Sequence, residues 1–235
     1  MVVRAALIAN TSDADPGFIG RSLRTRGYSF VEFLREQWQD WPGLDGIDLV
    51  VSMGSAWSVY WSETEGPVRA EQNLLARAVS QGVPVLGVCF GAQQLSTVLG
   101  GEVTKAQSPE IGWFPVRRVA ESADQTPECM VAGPWMQWHY DRFSVPPGAT
   151  VLADSPVGPQ VIVCGRSLGV QFHPEATESI VRMWSAGEGE SELHSQSIDA
   201  DRLMSDTSAH VADAEQRCDQ LVEWFLRNVA QKHME

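Results

Sequence analysis

The sequence predicts an α/β fold with a mostly parallel central sheet and flanking helices, and three observations carry that expectation. In the first half of the chain, short apolar runs alternate with segments of helical spacing, the order of strands joined by crossover helices. Residues 83–88 (VPVLGV) form an unbroken apolar run, as in a central strand buried on both faces. A glycine-flanked turn, Gly87 to Gly91, follows that run directly and opens onto a further helical segment.

Taken in order, residues 2–9 (VVRAALIA) read as a first strand, closed by the polar run Asn10-Thr11-Ser12-Asp13. The same stretch lacks the long apolar core and small-residue cleavage site of a signal peptide. Asp15-Pro16-Gly17 marks a helix start, carrying Phe18 and Leu23 and ending at Gly27. Strands are expected over residues 28–34 and 47–53. Pro67 is expected to open a helix with Val68, Leu74, Leu75, Ala78 and Val79 on one face, stopped at Gly82. Residues 91–99 read as the next helix, closed by Gly100-Gly101.

The second half changes character. Short strands are expected over residues 113–120, 150–153, 161–164 and 168–172, the last two joined by the Gly165-Arg166-Ser167 turn. Residues 186–208 are acidic and serine-rich and read as a solvated loop with at most one short helix. From 209 to 231, Ala214, Cys218, Leu221, Val222, Phe225 and Val229 recur at helical spacing, a face expected to cover the sheet. With no internal repeat and no separating linker, residues 1–235 read as a single domain.

Composition narrows the function. The 235 residues hold 17 Lys+Arg against 30 Asp+Glu, a formal net charge of −13, and 43% hydrophobic residues. That balance supports a folded core and disfavours nucleic acid and anionic membrane surfaces, both of which call for a dense basic face. No apolar run approaches the roughly 18 residues that would span a bilayer. Cys89, Cys129, Cys164 and Cys218 form no C-x-x-C pair. Free thiols in a reducing cytoplasm are therefore expected, with no metal and no cofactor.

Gly87-Val88-Cys89-Phe90-Gly91 has the form of a nucleophile elbow with sulfur in place of a hydroxyl. A nucleophile on so tight a strand-to-helix turn needs neighbours without colliding side chains, and the helix N-terminus beyond it favours a thiolate. Alone, the pattern is equally compatible with an ordinary βα turn. Gln171-Phe172-His173-Pro174-Glu175 follows the last expected strand, and a lone His173 there would read as a surface histidine. Together the two segments supply a nucleophile (Cys89), a base (His173) and a group to orient the base (Glu175).

GVCFGAQQL (residues 87–95) with VQFHPE (170–175) resembles the class I glutamine amidotransferases, and the stand-alone, GMP-synthase-like glutaminase domains most of all. The similarity extends to Val51-Ser52-Met53-Gly54 with Ser58-Val59-Tyr60, to Glu110-Ile111-Gly112-Trp113, and to Trp138-His139-Tyr140-Asp141. The resemblance implies a flavodoxin-like three-layer fold with a small additional antiparallel sheet. It implies that Cys89 attacks the glutamine side-chain amide, that His173 moves the protons, and that the backbone N–H groups of Gly54 and Phe90 hold the oxyanion. Gln93, Trp138, His139 and Tyr140 fall in its substrate-pocket segments. The implied partner is a separate ammonia-accepting synthetase, and no G-x-x-x-x-G-K-[ST] loop occurs in this sequence.

Two departures stand out. The family's glycine loop usually continues Gly-Pro-Gly, where this sequence has Gly54-Ser55-Ala56, and Tyr140 stands where a glycine is common. These departures raise an alternative substrate, another γ-glutamyl amide, hydrazide or peptide. Trp57, Trp61, Trp135 and Trp138 lie near these loops as packing or pocket aromatics, and Asp141 and Glu110 as ligand contacts or loop caps.

Overall fold

β1 (Val3–Ala9) is apolar on both faces: Ala5, Leu7 and Ala9 enter one buried cluster, and Ala6 and Ile8 another. Side chains alternate along a strand, so such a strand needs cover above and below. The computed structural model describes residues 3–231, which leaves Val2 of the expected first strand outside the described residues. After β1 come α1 (Gly17–Thr25), β2 (Tyr28–Leu34), β3 (Leu49–Ser52), α2 (Glu65–Ser80), β4 (Val85–Val88) and α3 (Phe90–Val98). There follow β5 (Val103–Pro115), β6 (Arg117–Arg118), α4 (Glu128–Val131), β7 (Pro134–Phe143), β8 (Thr150–Ser155), β9 (Gly158–Cys164) and β10 (Ser167–Val170). The last helices are α5 (Glu178–Trp184), α6 (Glu188–Ser195) and α7 (Ala200–Asn228).

The main sheet runs β2-β1-β3-β4-β10-β9-β8-β6, parallel from β2 to β10 and antiparallel beyond. Phe18 and Leu23 of α1 with Leu221 and Phe225 of α7 pack against one face. Leu74 and Leu75 of α2 with Leu95 of α3 pack against the other. The three layers carry a separate two-stranded antiparallel sheet, β5–β7, as expected. Because β10 lies parallel to β4, with Val170 opposite Val88, the segments that leave their carboxyl ends start side by side. One begins with Cys89 and the other leads to His173, at the strand ends where open α/β sheets bind ligands.

Four expectations need correction. The helix expected to open at Pro67 begins at Glu65, because a proline in the first turn lacks only an N–H that has no partner in the helix. Strand 113–120 is instead the end of the long β5 plus the two-residue β6. The earlier part of β5 went unread because its register shifts between Lys105 and Glu110 and breaks the alternation. β7 went unread because Gln137, His139 and Asp141 occupy its buried side, inverting the usual pattern. Residues 186–208 are largely helical: α6 buries Leu193, and α7 begins at an Asp199 cap and buries Leu203 and Thr207.

The elbow depends on close approach between backbones. A Cβ on Gly91 would lie 2.1 Å from the carbonyl oxygen of Ser52, at the end of β3. Gly91→Ala should therefore cost about 3 kcal/mol as helix and strand are forced apart. Urea unfolding should show this as a lowered midpoint with an unchanged slope.

Candidate active site

Cys89 is the N-cap of α3 at φ 49° and ψ −107°, a left-handed conformation costly for a residue with a side chain. It is held there at both ends. Its N–H donates to the Val170 carbonyl of β10 at 2.8 Å, and its carbonyl accepts from Gln93 N at 3.0 Å. The residue is 4% exposed. Gln171 Nε2 donates to Sγ at 3.5 Å, and Sγ lies 3.9 Å from the Trp138 carbonyl oxygen of β7.

His173 follows β10 and is tied to β7 by its N–H, which donates to the Met136 carbonyl at 2.8 Å. Its Nδ1 is 2.7 Å from Glu175 Oε1, and its ring packs edge-on to Trp184 with centroids 4.6 Å apart. The Glu175 carbonyl in turn accepts from Phe18 N at 3.0 Å, so α1 steadies that segment. The other ring nitrogen, Nε2, is buried without a hydrogen-bond partner, as is Glu175 Oε2. The His173 ring and the Cys89 side chain both approach Gly54: a Cβ there would lie 2.9 Å from His173 Cε1 and 3.8 Å from Cys89 Cβ.

Burial opposes a charge on His173, but the Glu175 carboxylate and the charge of a Cys89 thiolate outweigh it, holding the imidazole well above its usual value of 6.5. The resulting stabilisation is full below pH 6.5, where folded and unfolded chains both hold the proton. It declines as pH rises and is lost once the folded-state value is passed.

The Phe90 and Gly54 amides have no hydrogen-bond acceptor among the described residues; the first belongs to the open N-terminus of α3. Gln93 is buried, its Nε2 3.3 Å from Gln171 Oε1 and 3.5 Å from the Asp141 carbonyl. Trp138 and Tyr140 line a cleft of about 670 Å³ that reaches His173. Trp138 Nε1 donates to Glu192 Oε2 at 2.8 Å. Burial and the nearby Glu192 carboxylate raise the Tyr140 phenol.

His139 is buried with both ring nitrogens engaged, Nδ1 at 3.0 Å from the Asp141 carbonyl and Nε2 at 3.1 Å from Gln137 Oε1 and from Glu110 Oε2. It therefore braces the cleft wall. Asp141 takes hydrogen bonds from the hydroxyls of Ser58 and Tyr60 and so fastens the loop after Gly54 to β7.

Residues 61–182, more than half of the chain, match the family model described as glutamine amidotransferase class-I. The chain belongs to that family. Among relatives of this amidotransferase, a GMP synthase [glutamine-hydrolyzing] of Thermomicrobium roseum is 37% identical over 145 residues, covering 60% of this chain and 26% of that protein. A glutamine amidotransferase-like protein of Salmonella typhimurium, YfeJ, is 31% identical over 153 residues, covering 60% of this chain and 64% of that one. The chain thus spans about a quarter of the Thermomicrobium roseum GMP synthase and a larger share of YfeJ. In three dimensions, a glutamine amidotransferase of Thermotoga maritima superposes with a TM-score of 0.83 at 26% identity, covering 99% of this chain and 100% of that one.

Several residues around the amidotransferase site lay beyond the sequence reading. Asp13 accepts from Trp184 Nε1 at 3.0 Å, and burial followed by the Glu175 charge raises its carboxyl. Glu192 came from the segment read as a loop. Gln171 stood in a quoted motif without a role. Arg35 and Glu71, a fully buried ion pair beneath Gly54, carried no local signal at all.

The Glu175 charge is the largest influence favouring protonated His173. Glu175→Gln should lower the His173 titration midpoint, read from imidazole proton shifts by NMR. An unmoved midpoint would separate the two groups electrostatically.

Proposed function

We propose that the chain hydrolyses the side-chain amide of glutamine through a Cys-His-Glu triad. The Cys89 thiolate adds to the amide carbon, and the oxyanion that forms accepts hydrogen bonds from the Gly54 and Phe90 N–H groups. The carbon–nitrogen bond then breaks as His173 gives its proton to the departing nitrogen, which leaves as ammonia. A γ-glutamyl thioester remains on Cys89. Water adds to that thioester, His173 takes its proton, and glutamate and the free thiolate result. Glu175 keeps Nδ1–H occupied, so that Nε2 is the nitrogen turned to the chemistry.

One observation carries the reading: a buried imidazole, bonded to a carboxylate through one nitrogen and without a partner on the other, flanks the same glycine as a strained elbow cysteine. Gln93, Trp138 and Tyr140 would bound the glutamine, with His139 holding the wall behind them. The ammonia would pass to a separate synthetase, in keeping with the relatives named GMP synthase. Residues from both ends of the chain share one core cluster, which supports a single catalytic domain, and the four free thiols suit a cytoplasmic setting. Cys89→Ala should lower ammonia release from glutamine by about 10⁴-fold or more. A coupled glutamate dehydrogenase assay measures it, and equal rates in the two proteins would refute the nucleophile assignment.

The size and lining of the cleft favour a second reading. At about 670 Å³, with Trp57, Tyr60 and Trp61 on its rim, the cleft falls within the roughly 300–1,000 Å³ typical of sites for ligands larger than an amino acid. By the same thioester route, the chain would act as a free-standing hydrolase of another γ-glutamyl amide, hydrazide or peptide. A panel of such compounds against glutamine decides between the two: kcat/KM at least tenfold higher for a conjugate supports this reading, and glutamine outpacing every member removes it.

A further inference from the structure

We propose that Arg35 is the positioning residue of the oxyanion site, aligning both backbone donors through a single guanidinium. The inference rests on the reaction proposed above and assigns a role to a residue with no contact to substrate. Arg35 follows β2, is fully buried, and spends its five N–H bonds on five acceptors. Nε and Nη2 grip the Glu71 carboxylate of α2 at 2.8 and 3.2 Å. Nη1 donates to Asn10 Oδ1 at 2.9 Å and to the Gly54 carbonyl at 2.8 Å, and Nη2 to the Met53 carbonyl at 2.8 Å. The guanidinium carbon lies 4.8 Å from the centre of the Phe90 ring.

The Met53 carbonyl and the Gly54 N–H belong to one planar trans peptide unit, so they point in opposite directions. Anchoring the oxygen on one side fixes where the N–H aims on the other. The bond from a cation also polarises that peptide and strengthens its N–H as a donor. The second anchor, on the Gly54 carbonyl, fixes the next peptide plane. The ring contact meanwhile seats Phe90, whose own N–H is the other donor.

This clamp grips the loop ahead of the point where Ser58 and Tyr60 tie it to Asp141. Gly54-Ser55-Ala56 lacks the proline that would restrict the backbone at that point. Glu71 is locked in turn by the Ser52 hydroxyl, so the guanidinium is held on all sides. A lysine would keep the charge opposite Glu71, yet one ammonium cannot span both carbonyls and the ring.

Arg35→Lys tests the assignment with three measurements: glutamine turnover, alkylation of Cys89 by iodoacetamide, and affinity for an aldehyde analogue of glutamine that forms a thiohemiacetal on Cys89. Alkylation needs the thiolate but no oxyanion site, whereas the thiohemiacetal needs both. The expected result is a fall in kcat of about 10²-fold, with KM and the alkylation rate within about twofold and aldehyde affinity reduced to match kcat. Unchanged kcat and aldehyde affinity would overturn the proposal, and so would alkylation falling in step with them, the mark of a generally disordered site.

Should Arg35→Lys fail to fold, Glu71→Gln loosens the anchor and leaves the guanidinium in place. It should lower kcat and aldehyde affinity about tenfold with alkylation unchanged, and no loss in either would overturn the assignment. Wild-type protein that binds the aldehyde but does not turn over glutamine would refute the proposed function alone, since the comparison of aldehyde affinity with alkylation still reports on Arg35.

Discussion

A single backbone conformation governs the architecture around the site. Cys89 sits at φ 49°, and only its surroundings keep it there: β10 accepts its N–H, α3 starts from its carbonyl, and Gly91 lets the helix approach β3. The parallel pairing of β4 with β10 places the segment bearing His173 alongside, and β7 closes over both through Met136 and Trp138. Strain at one residue is sustained by the packing of several elements, the usual arrangement where a reactive group is held ready in advance.

Around that residue lie buried charges of two kinds. Arg35 and Glu71 are fully buried and fully bonded, and an ion pair so enclosed adds little net stability over well-packed apolar groups. Its value lies in direction, because a guanidinium imposes fixed angles on every group it touches. His173 and Glu175 are incompletely satisfied, each with one buried polar atom left over. Buried groups without partners are costly in a structural core and purposeful where a reaction will supply the partner.

The fold was legible wherever burial produced a regular pattern. β1 and β4 were legible because their apolar runs are buried on both faces, although β4 starts at Val85 and not Val83. β2 was legible because Tyr28, Phe30, Val31 and Phe33 supply apolar residues to both faces of an edge strand, and the later part of α7 because Cys218, Leu221 and Phe225 repeat at helical spacing. β7 was hidden by function: the polar residues that brace the cleft sit on its inward side. The helices within residues 186–208 were hidden by economy, since Leu193 and Leu203 are nearly all they bury. Cys89 and His173 stood out because each lies in a short local motif. Arg35 did not, since its significance arises only when the end of β2, the loop after β3 and the first turn of α3 meet in space, a juxtaposition with no local sequence signature.

The wall of the cleft has a bearing on how a turnover ends. Glu36, Asp141, Glu188 and Glu192 line it, with Lys105 and the His173 imidazole on the opposite side of the charge balance. In the proposed reaction an uncharged amide enters and a carboxylate is left behind, so the spent molecule gains an anion within an anionic enclosure. Mutual repulsion would loosen it, whereas ammonia, carrying no charge, would leave for the synthetase unaffected by that field. An acidic lining of this kind would sort the two fragments, pushing out the acid and leaving the base free to travel on.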